Sequence, residues 1–541
     1  MATAVTGPHS SEGRRPLFRM VIPAYPAFNI YSHVARKTTS LGPLCVATAA
    51  RELDGWDVEV IDENNYRAPG PRDDRGMPDH RRLQEMRPAA VVGLYGGLSS
   101  TVPRLYRVAG VYASAGVPVV AGGQHFIGEN VVEALANHVT VVAIGEGEAT
   151  VRELLPALRH GGPLGDVAGI AFLDGGRLVH TPSRPPLTDF AALPQPDFSL
   201  LRYARVKVFP VSWTRGCGMD CEFCTVKGTP RPQSPERVFE CVTGLVERHG
   251  AREFFLVDDL FGQYRSQALR LCEMLASYQQ EHHLRLWFTV QTRLDRARDS
   301  QLLAAMRRAG MNSLAVGFES PIEEELEAMN KKLRPAEMVR LARTFHKAGF
   351  FVHGMFIFGY PLAEGQGVDL PTRERVRRFR RFIKKARLDT VQVLLPVPLP
   401  GTEMTARLRT QNRVFPVETL GWEYYDGNFP LFEPDGQVSP QDMQAALCRI
   451  MGRFYRFRYM FAVGLHTLIF PWIGFSVTNL HAGWQRWYRH WRNSIIRFVG
   501  WRTLKHWTHD LKRSQFADKL EHARRLLAER SSRAGAPLGG H

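Results

Sequence analysis

Three cysteines stand close together in one short segment of the chain. The segment WTRGCGMDCEFCTVKG places Cys217, Cys221 and Cys224 at C-x3-C-x2-C spacing. Iron–sulfur clusters are held by cysteine thiolates, and three thiolates in a glycine-containing loop can wrap around one cluster. A four-iron cluster with only three cysteine ligands has one iron open to a ligand from outside the protein. The spacing therefore favours an iron–sulfur cluster that binds a further ligand.

A structural zinc site is the alternative interpretation of the same cysteines. Such a site normally needs four protein ligands, and Cys241 is available as the fourth. That residue lies in FECVTGLVERHG, which has the pattern of an amphipathic helix with Cys241 on its buried side. The pattern therefore favours the cluster over zinc.

The composition excludes several classes of protein. The chain has 541 residues, of which 44% are hydrophobic and 23% charged, so it is not disordered, collagen-like or a disulfide scaffold. Its seven cysteines are unevenly spaced, which favours metal binding or catalysis in a reducing compartment. The first 20 residues lack the apolar core of a signal peptide, so we expect a cytoplasmic protein.

Two stretches of alternating strand and helix patterns must position the cysteines. Residues 17–160 contain five strand patterns rich in Val and Ile, separated by helix patterns, which predicts a doubly wound parallel α/β sheet. A Gly- and Pro-rich hairpin and linker follow over residues 161–204. Six further strand patterns within residues 205–405 predict a complete or partial βα barrel. Strand patterns end there, so residues 406–541 are expected to form a helical region.

Glycine-rich turns follow three strands of the first stretch. Ligands of parallel sheets bind beyond the carboxyl ends of the strands, and glycine lets a large flat or phosphate-bearing ligand approach the backbone. We interpret the three turns together as a cofactor site, although each alone also fits an ordinary tight turn. The residues concerned are Gly96, Ser99, Gly122, Gly123, His125, Gly145, Glu146 and Gly147.

With these motifs the chain resembles the radical S-adenosylmethionine (SAM) superfamily, and within it the cobalamin-binding branch. The resemblance covers roughly residues 18–408, and its most specific part is the three-cysteine loop with Phe223 directly before the last cysteine. FFLVDDLF, QTRLD, VGFES, GMFIFGYP and LLPVPLPGT support it, because they stand at successive strand ends in the order that this branch shows. The first stretch, with VPVVAGGQH and AIGEGE, looks like the cobalamin domain of that branch.

The resemblance implies three cofactors: a 4Fe–4S cluster on Cys217, Cys221 and Cys224, SAM on the open iron, and cobalamin in the first domain. Reduction of the cluster would cleave SAM to a 5′-deoxyadenosyl radical, which the barrel aims at one C–H bond. Residues at the barrel strand ends would contact SAM or the substrate, with Asp258 and Glu319 as the catalytic candidates. The other strand-end candidates are Asp259, Gln291, Arg293, Gly359, Pro396 and Thr402.

These strand-end residues also have structural alternatives. Asp259 can cap a following helix, and Glu319 can cap the helix after Ser320. Arg293 can form an ion pair with Asp295.

One motif of other cobalamin proteins is missing. The signature Asp-x-His-x-x-Gly, whose histidine ligates cobalt from below, is absent from residues 18–155. The resemblance therefore implies cobalamin without that axial histidine. His125 stands at a strand end and is a candidate for a position near the corrin, with a simple hydrogen bond in its turn as the alternative.

The carboxy-terminal region combines an apolar stretch with a basic and aromatic one. Residues 460–480 have about the length of a membrane span, but His466 and Pro471 favour a buried helical hairpin that is broken near Pro471. The helix that follows has an aromatic and a basic face, so it either lies in a membrane interface or packs its aromatic face in the core. The aromatic face consists of Trp484, Trp487, Trp491, Phe498 and Trp501.

The leading hypothesis is a cobalamin-dependent radical SAM methyltransferase that methylates an unactivated carbon. A radical cyclase, oxidase or rearrangement enzyme that uses cobalamin is the first alternative, and a cobalamin-binding sensor with a basic tail is the second. The net charge of +17 fits nucleic acid, a membrane surface or an acidic ligand, and no nucleic-acid-binding fold is recognisable. We expect a small-molecule or lipid-like substrate, an electron donor such as a flavodoxin or ferredoxin, and peripheral contact with the inner face of the membrane.

Overall fold

The computed structural model describes residues 15–30, 32–362, 370–436, 438–476 and 480–534. Two parallel sheets and a helical carboxy-terminal region make up these residues. The strands of the first sheet are β1 (Leu17–Ile22), β2 (Asp57–Asp62), β3 (Val91–Tyr95), β4 (Val119–Gly122), β5 (Val141–Ala143), β6 (Ile170–Asp174), β7 (Arg177–His180) and β8 (Leu201–Arg202). Its helices are α1 (Ser32–Ala35), α2 (Leu41–Arg51), α3 (His80–Met86), α4 (Val102–Ser114), α5 (Glu129–Ala136) and α6 (Gly147–His160).

The first sheet has the strand order β7-β6-β5-β4-β3-β1-β2-β8. Strands β1 to β5 pair in parallel, as the Val- and Ile-rich patterns predict. Alternate side chains of β1 enter two cores, with Phe18 and Met20 on one face of the sheet and Leu17 and Val21 on the other. Helices cover both faces, so the predicted doubly wound sheet is confirmed. The hairpin of β6 and β7 is antiparallel and extends this same sheet, and β8 joins its other edge.

The second sheet contains six parallel strands in sequential order. They are β9 (Val208–Val211), β12 (Glu253–Leu256), β13 (Trp287–Thr292), β14 (Met311–Glu319), β15 (Phe351–Ile357) and β16 (Thr390–Leu394). A short antiparallel pair, β10 (Thr214–Arg215) and β11 (Arg231–Pro232), branches off after β9. The helices are α7 (Pro235–His249), α8 (Arg265–Glu281), α9 (Ser300–Arg308), α10 (Glu323–Ala328), α11 (Pro335–Lys347) and α12 (Thr372–Ala386). Because β9 and β16 form the two edges, the sheet is a partial barrel.

The carboxy-terminal region is helical, as predicted. Its helices are α13 (Glu403–Thr410), α14 (Val417–Leu420), α15 (Pro440–Phe454), α16 (Tyr459–Ser476), α17 (Leu480–Lys512) and α18 (Phe516–Ala534). Helix α15 packs on α12 and on β16, which joins this region to the second sheet. Around Trp422 and Phe429, a separate aromatic core connects the region to the first sheet.

Residues 460–476 of the apolar stretch lie in one continuous helix. Helix α16 runs through position 471 and ends at Ser476, so the break predicted near Pro471 is wrong. An interior proline costs a helix one hydrogen bond, and the packing of α16 along α17 offsets that loss. The hairpin is also not buried as predicted, since Phe461, Leu465 and Leu468 are exposed. In the described ranges, no helix has the length and apolar character needed to cross a membrane.

The aromatic face of α17 packs inward. The indole N–H groups of Trp487 and Trp491 donate to the backbone oxygen of His466 (2.8 Å) and to Thr467 Oγ1 (3.1 Å) on α16. Trp501 packs against the main core together with Phe457 and Phe498. The side chain of Trp484 lies outside the described residues. For the other tryptophans, packing is therefore the structural role.

Candidate active site

A cavity of about 680 Å³ lies between the carboxyl ends of the strands of the two sheets. This volume is in the range of cofactor and small-ligand sites, about 300–1,000 Å³. The first sheet contributes Tyr95, Gly122, Gly123, Ala143, Gly145, Glu146 and Gly147, and the second contributes Val211, Ser212, Val257 and Asp259. Gly216 and Val226, which flank the three cysteines, line the same cavity.

The glycine turns of the first sheet bring two strand ends into close contact. Gly123 has a φ of +130°, and a Cβ at this position would lie 2.6 Å from the carbonyl carbon of Gly96. Gly145 also has positive φ, at +89°, with open space on its Cα. Such turns leave the ends of β4 and β5 without side chains, so a flat ligand has room above the backbone.

His125 and Ser99 lie in the turns after β4 and β3, but neither is among the residues that line the cavity. A hydrogen bond of 3.0 Å joins His125 Nδ1 to Ser99 Oγ, and the imidazole packs edge-on against Trp422. Burial lowers the pKa of His125 to about 4, so the ring is neutral at pH 7. His125 is thus simply hydrogen bonded, through Ser99 in the turn after β3, and a contact of His125 with a cofactor stays a prediction.

Glu146 joins the first sheet to the base of the cysteine loop. Its carboxylate accepts hydrogen bonds from Arg215 Nη1 (2.9 Å) and Arg231 Nη1 (2.9 Å), and Glu148 pairs with Arg215 Nη2 at 2.5 Å. Burial alone would raise the pKa of Glu146, but the bonds from Arg231 and Arg215 lower it. Arg215 and Arg231 are paired residues of β10 and β11. The turn that contains Glu146 therefore anchors the cysteine loop. From the sequence, this turn was predicted only to lie near a cofactor.

The three cysteines lie in the loop that β10 and β11 close at its base. The backbone N–H of Gly218 donates to the backbone oxygen of Gly228 (3.1 Å), and this bond joins the two sides of the loop near its base. Cys217, Cys221 and Cys224 are partly exposed, and none of them forms a disulfide. Burial and the neighbouring Asp259 raise the pKa of Cys217. Cys241 is buried on α7 with its pKa raised to about 11 by burial, which disfavours the thiolate that zinc would need.

Glu222, between the second and third cysteines, holds the loop against the rest of the domain. Its carboxylate accepts bonds from Arg407 Nε (2.7 Å) and Nη2 (3.0 Å) and from Tyr360 Oη (2.5 Å). Arg407 also donates to the backbone oxygens of Pro361 and Leu362. This cluster, which we call the loop clamp, ties the cysteine loop to the end of β15 and to α13. Sequence reasoning missed it, because Glu222 and Arg407 are 185 residues apart.

Adjacent acidic residues at the end of β12 point in opposite directions. Asp258 is buried, and its Oδ1 accepts the backbone N–H of Trp213 (2.7 Å) just before the cysteine loop. Among the described residues its buried Oδ2 has no hydrogen-bond partner, and burial raises the pKa of Asp258 to about 7. Asp259 instead lines the cavity. We therefore place Asp258 behind the loop as a positioning residue, and its predicted catalytic role stays untested.

The remaining strand-end candidates make protein contacts. Gln291 Nε2 donates weakly to the oxygen of Asp258 (3.4 Å). Arg293 contacts Met219 in the cysteine loop and pairs with Asp295 (3.3 Å), as the structural alternative predicts. Neither residue lines the 680 Å³ cavity, and Arg293 borders the cysteine loop through Met219.

Glu319 at the end of β14 forms an ion pair that the sequence analysis did not anticipate. It has a φ of +59° and pairs with Lys331 Nζ at 3.0 Å. Burial alone would lower the pKa of Lys331, but Glu319 and Cys221 raise it. The predicted capping alternative is wrong for Glu319, because Ile322 occupies the N-cap position of α10.

The last candidates follow the fifth and sixth strands. Gly359 has a φ of +75°, and a Cβ there would lie 2.8 Å from Met443 Cε on α15, so this glycine permits close helix packing. Thr402 caps α13, since its Oγ1 accepts the N–H of Thr405. Pro396 also lies in the segment between β16 and α13.

Comparison with known families identifies the second sheet. Residues 211–369, which include the cysteine loop and β12 to β15, match the model of the radical SAM superfamily. The chain therefore contains a radical SAM domain. The resemblance drawn from the cysteine loop is confirmed.

Curated relatives extend over most of the chain. An uncharacterised methyltransferase of Pyrococcus horikoshii is 26% identical over 461 residues, which is 83% of this chain and 94% of that protein. An anaerobic magnesium-protoporphyrin IX monomethyl ester cyclase of Cereibacter sphaeroides is 26% identical over 371 residues, 66% of this chain and 56% of the cyclase.

Two solved structures share the fold. The radical SAM methyltransferase TsrM of Kitasatospora setae superposes with a TM-score of 0.58 at 18% identity, over 74% of this chain and 78% of TsrM. The cobalamin-dependent SAM radical enzyme OxsB superposes with a TM-score of 0.62 at 14% identity, over 94% of this chain and 80% of OxsB. The predicted combination of a doubly wound sheet, a partial barrel and a helical region is thus a known architecture.

Proposed function

We propose that the protein is a cobalamin-dependent radical SAM methyltransferase acting on an unactivated carbon. The observation that carries the proposal is the position of the three-cysteine loop. It lies at the carboxyl ends of a six-stranded parallel sheet and borders a cavity whose other wall is formed by the glycine turns of the first sheet. One cavity thus adjoins both of the expected cofactor sites.

The residues present fit the three cofactors. The cysteine loop offers three thiols outside any disulfide, which suits a cluster with one open iron. TsrM has been solved with cobalamin and a 4Fe–4S cluster, and OxsB with aqua-cobalamin and SAM. The side-chain-free turns at Gly123 and Gly145 would admit a corrin over the ends of β4 and β5. When bound, the cluster and SAM supply a carbon-centred radical, and cobalamin supplies the methyl group.

The chain's own residues then position and shield this chemistry. Glu146, Arg215 and Arg231 hold the two sheets together at the cavity. The loop clamp of Glu222, Tyr360 and Arg407 keeps the cysteine loop in one place. Asp259 offers an exposed carboxylate to the cavity, where it can bind an ammonium or hydroxyl group. We infer that this residue contacts SAM or the substrate.

Anaerobic reconstitution with iron, sulfide and cobalamin tests the proposal. Methyl transfer consumes SAM as both a radical source and a methyl donor, so we expect 5′-deoxyadenosine and S-adenosylhomocysteine in comparable amounts. Metabolite extracts of the host, with and without the enzyme, are screened by mass spectrometry for a product heavier by one methylene. Cys221→Ala is the inactive control, and Cys272→Ala, a buried cysteine on α8 outside the cavity lining, is the matched control that should retain activity.

A cyclase, oxidase or rearrangement enzyme is the second candidate, because the matched cyclase covers two thirds of this chain. Such chemistry would form 5′-deoxyadenosine without S-adenosylhomocysteine. That result would replace the methyltransferase by this alternative.

The expected partners follow from the same chemistry. Reduction of the cluster needs a one-electron donor, and we propose a flavodoxin or ferredoxin. The net charge of +17 favours docking of an acidic donor protein. A small-molecule or lipid-like substrate and peripheral contact with the inner membrane surface complete the proposal.

A further inference from the structure

The outer side of α16 carries an apolar stripe whose three helix residues nothing in the described chain covers, while Phe457 at its start packs partly against Trp501 and Phe498. Phe457 precedes the helix, and Phe461, Leu465 and Leu468 follow at spacings of four, four and three residues, which places them on one face. Phe461 is 65% exposed, Leu465 57% and Leu468 74%. We call these four residues the α16 stripe. Contiguous exposed apolar surface of this kind marks an interaction site.

The sequence around the α16 stripe is strongly basic. Between residues 443 and 509 the sequence contains ten Lys and Arg and no Asp or Glu. Arg453, Arg456 and Arg458 stand immediately before α16, and no salt bridge joins any of the three to a carboxylate in the described ranges. Burial, and then the charges of Arg458, Arg453 and Arg380, lower the pKa of Arg456. These guanidinium groups are therefore close enough to repel one another, and they would gain from an anionic partner.

The hairpin lies at the end of the partial barrel opposite to the cysteine loop. Asn493 Nδ2 on α17 donates to Asp389 Oδ1 (2.6 Å), and Arg497 Nη2 donates to the oxygen of Leu388 (3.1 Å). Leu388 and Asp389 directly precede β16, so these two bonds place α17 at the amino ends of the parallel strands. The cysteine loop follows the carboxyl end of β9. A partner on α16 would therefore leave the cavity uncovered.

We propose that the α16 stripe and its three arginines dock on an anionic phospholipid bilayer surface. Phe and Leu side chains enter the boundary between headgroups and acyl chains, while the arginines stay at the lipid phosphates. A second copy of the chain fits this face poorly, because symmetric pairing would bring the two arginine clusters together. The proposal deepens the membrane contact suggested above and moves it from the tryptophan face of α17 to α16. It does not depend on the proposed chemistry.

Vesicle flotation of the full-length protein tests the assignment. We expect binding to vesicles of phosphatidylcholine mixed with phosphatidylglycerol, weak binding to phosphatidylcholine alone, and loss of binding as salt rises. Phe461→Asp with Leu468→Asp should lower the partition coefficient by about tenfold or more. Met86→Asp, on the exposed side of α3, is the matched control and should bind like the wild type. Iron-free and reconstituted protein should bind equally, so failure of the methyltransferase assay would leave this result unaffected.

Hydroxyl-radical footprinting of the wild type gives a second measurement that needs no variant. Oxidation of Phe461, Leu465 and Leu468 should fall when anionic vesicles are added. The assignment is wrong if the wild type ignores anionic vesicles, or if the double variant binds them fully with unchanged footprinting. A wild-type dimer in sedimentation velocity that the double variant converts to a monomer, without vesicle binding, would assign the face to self-association instead.

Discussion

Arg407 offers a direct test of how the cysteine loop is held. Its guanidinium donates two hydrogen bonds to Glu222 and one each to the backbone oxygens of Pro361 and Leu362. Methionine has nearly the same length and apolar stem but cannot donate a hydrogen bond. Arg407→Met therefore removes the bonds and leaves the Glu222 carboxylate with the Tyr360 hydroxyl as its one side-chain donor among the described residues.

The size of the effect follows from the burial of the pair. Removing one partner of a fully buried ion pair costs about 3–5 kcal/mol, whereas an exposed pair is worth about 0–1 kcal/mol. Arg407 and Glu222 are 22% and 16% exposed, so they lie between these limits. We expect a cost of about 2 kcal/mol for the closed loop, which corresponds to a roughly thirtyfold increase in the open fraction.

The assay measures iron release from the reconstituted protein to a ferrous chelator under anaerobic conditions. If opening of the loop precedes release, Arg407→Met should release iron about thirtyfold faster than the wild type. Arg409→Met is a matched control on the same helix, because the Arg409–Glu129 pair is mostly exposed. That control should change the rate less than about fivefold.

Two outcomes would refute the reasoning. Iron release at the wild-type rate in a folded Arg407→Met protein would show that the clamp does not limit loop opening. Equal acceleration by Arg407→Met and Arg409→Met would show a general effect of removing charge from α13. Glu222→Gln should fall between the wild type and Arg407→Met, since Arg407 is still present and can donate to the Gln oxygen and to the backbone oxygens of Pro361 and Leu362.

Three further predictions concern other parts of the site. Cys221→Ser should abolish bound iron and sulfide after reconstitution, while Cys241→Ser should retain both, which colorimetric assays will measure. Gly123→Ala should destabilise the first sheet and prevent retention of cobalamin in gel filtration, because its Cβ would lie 2.6 Å from backbone. Gly165→Ala should retain cobalamin, since this glycine lies outside the cavity lining and its Cβ would meet nothing within 4 Å. His125→Gln should reduce the acid sensitivity of the melting temperature, because burial lowers the pKa of His125 to about 4. Stability from the neutral imidazole is present above pH 6.5 and is lost as pH falls towards 4, so equal melting profiles would contradict this prediction.

Local patterns in the sequence were sufficient for the elements of the fold. The strands β1 to β5 and the six strands of the partial barrel lie within the predicted Val-, Ile- and Phe-rich segments. Such segments are readable because a strand or helix is encoded by neighbouring residues. The short strands β8, β10 and β11 were missed, since each has only two residues and forms through pairing with a distant segment.

In the candidate site, too, some features are encoded by neighbouring residues and others depend on the tertiary structure. The spacing of the cysteines and the glycine turns was visible in the sequence, because each motif is contiguous. The choice between Asp258 and Asp259 was not, because neighbouring residues at a strand end face opposite sides and a shift of one residue reverses them.

The sequence by itself determined the two α/β sheets, the helical region and the three-cysteine loop of the radical SAM domain. Only the tertiary structure decided which polar residues serve the cavity and which hold the loop. Glu146 pairs with Arg215, and Glu222 with Arg407, across 69 and 185 residues of chain. It also turned the tryptophans of α17 inward and left α16 exposed. A helical pattern shows that a face is apolar, but what that face contacts depends on packing between elements far apart in the chain.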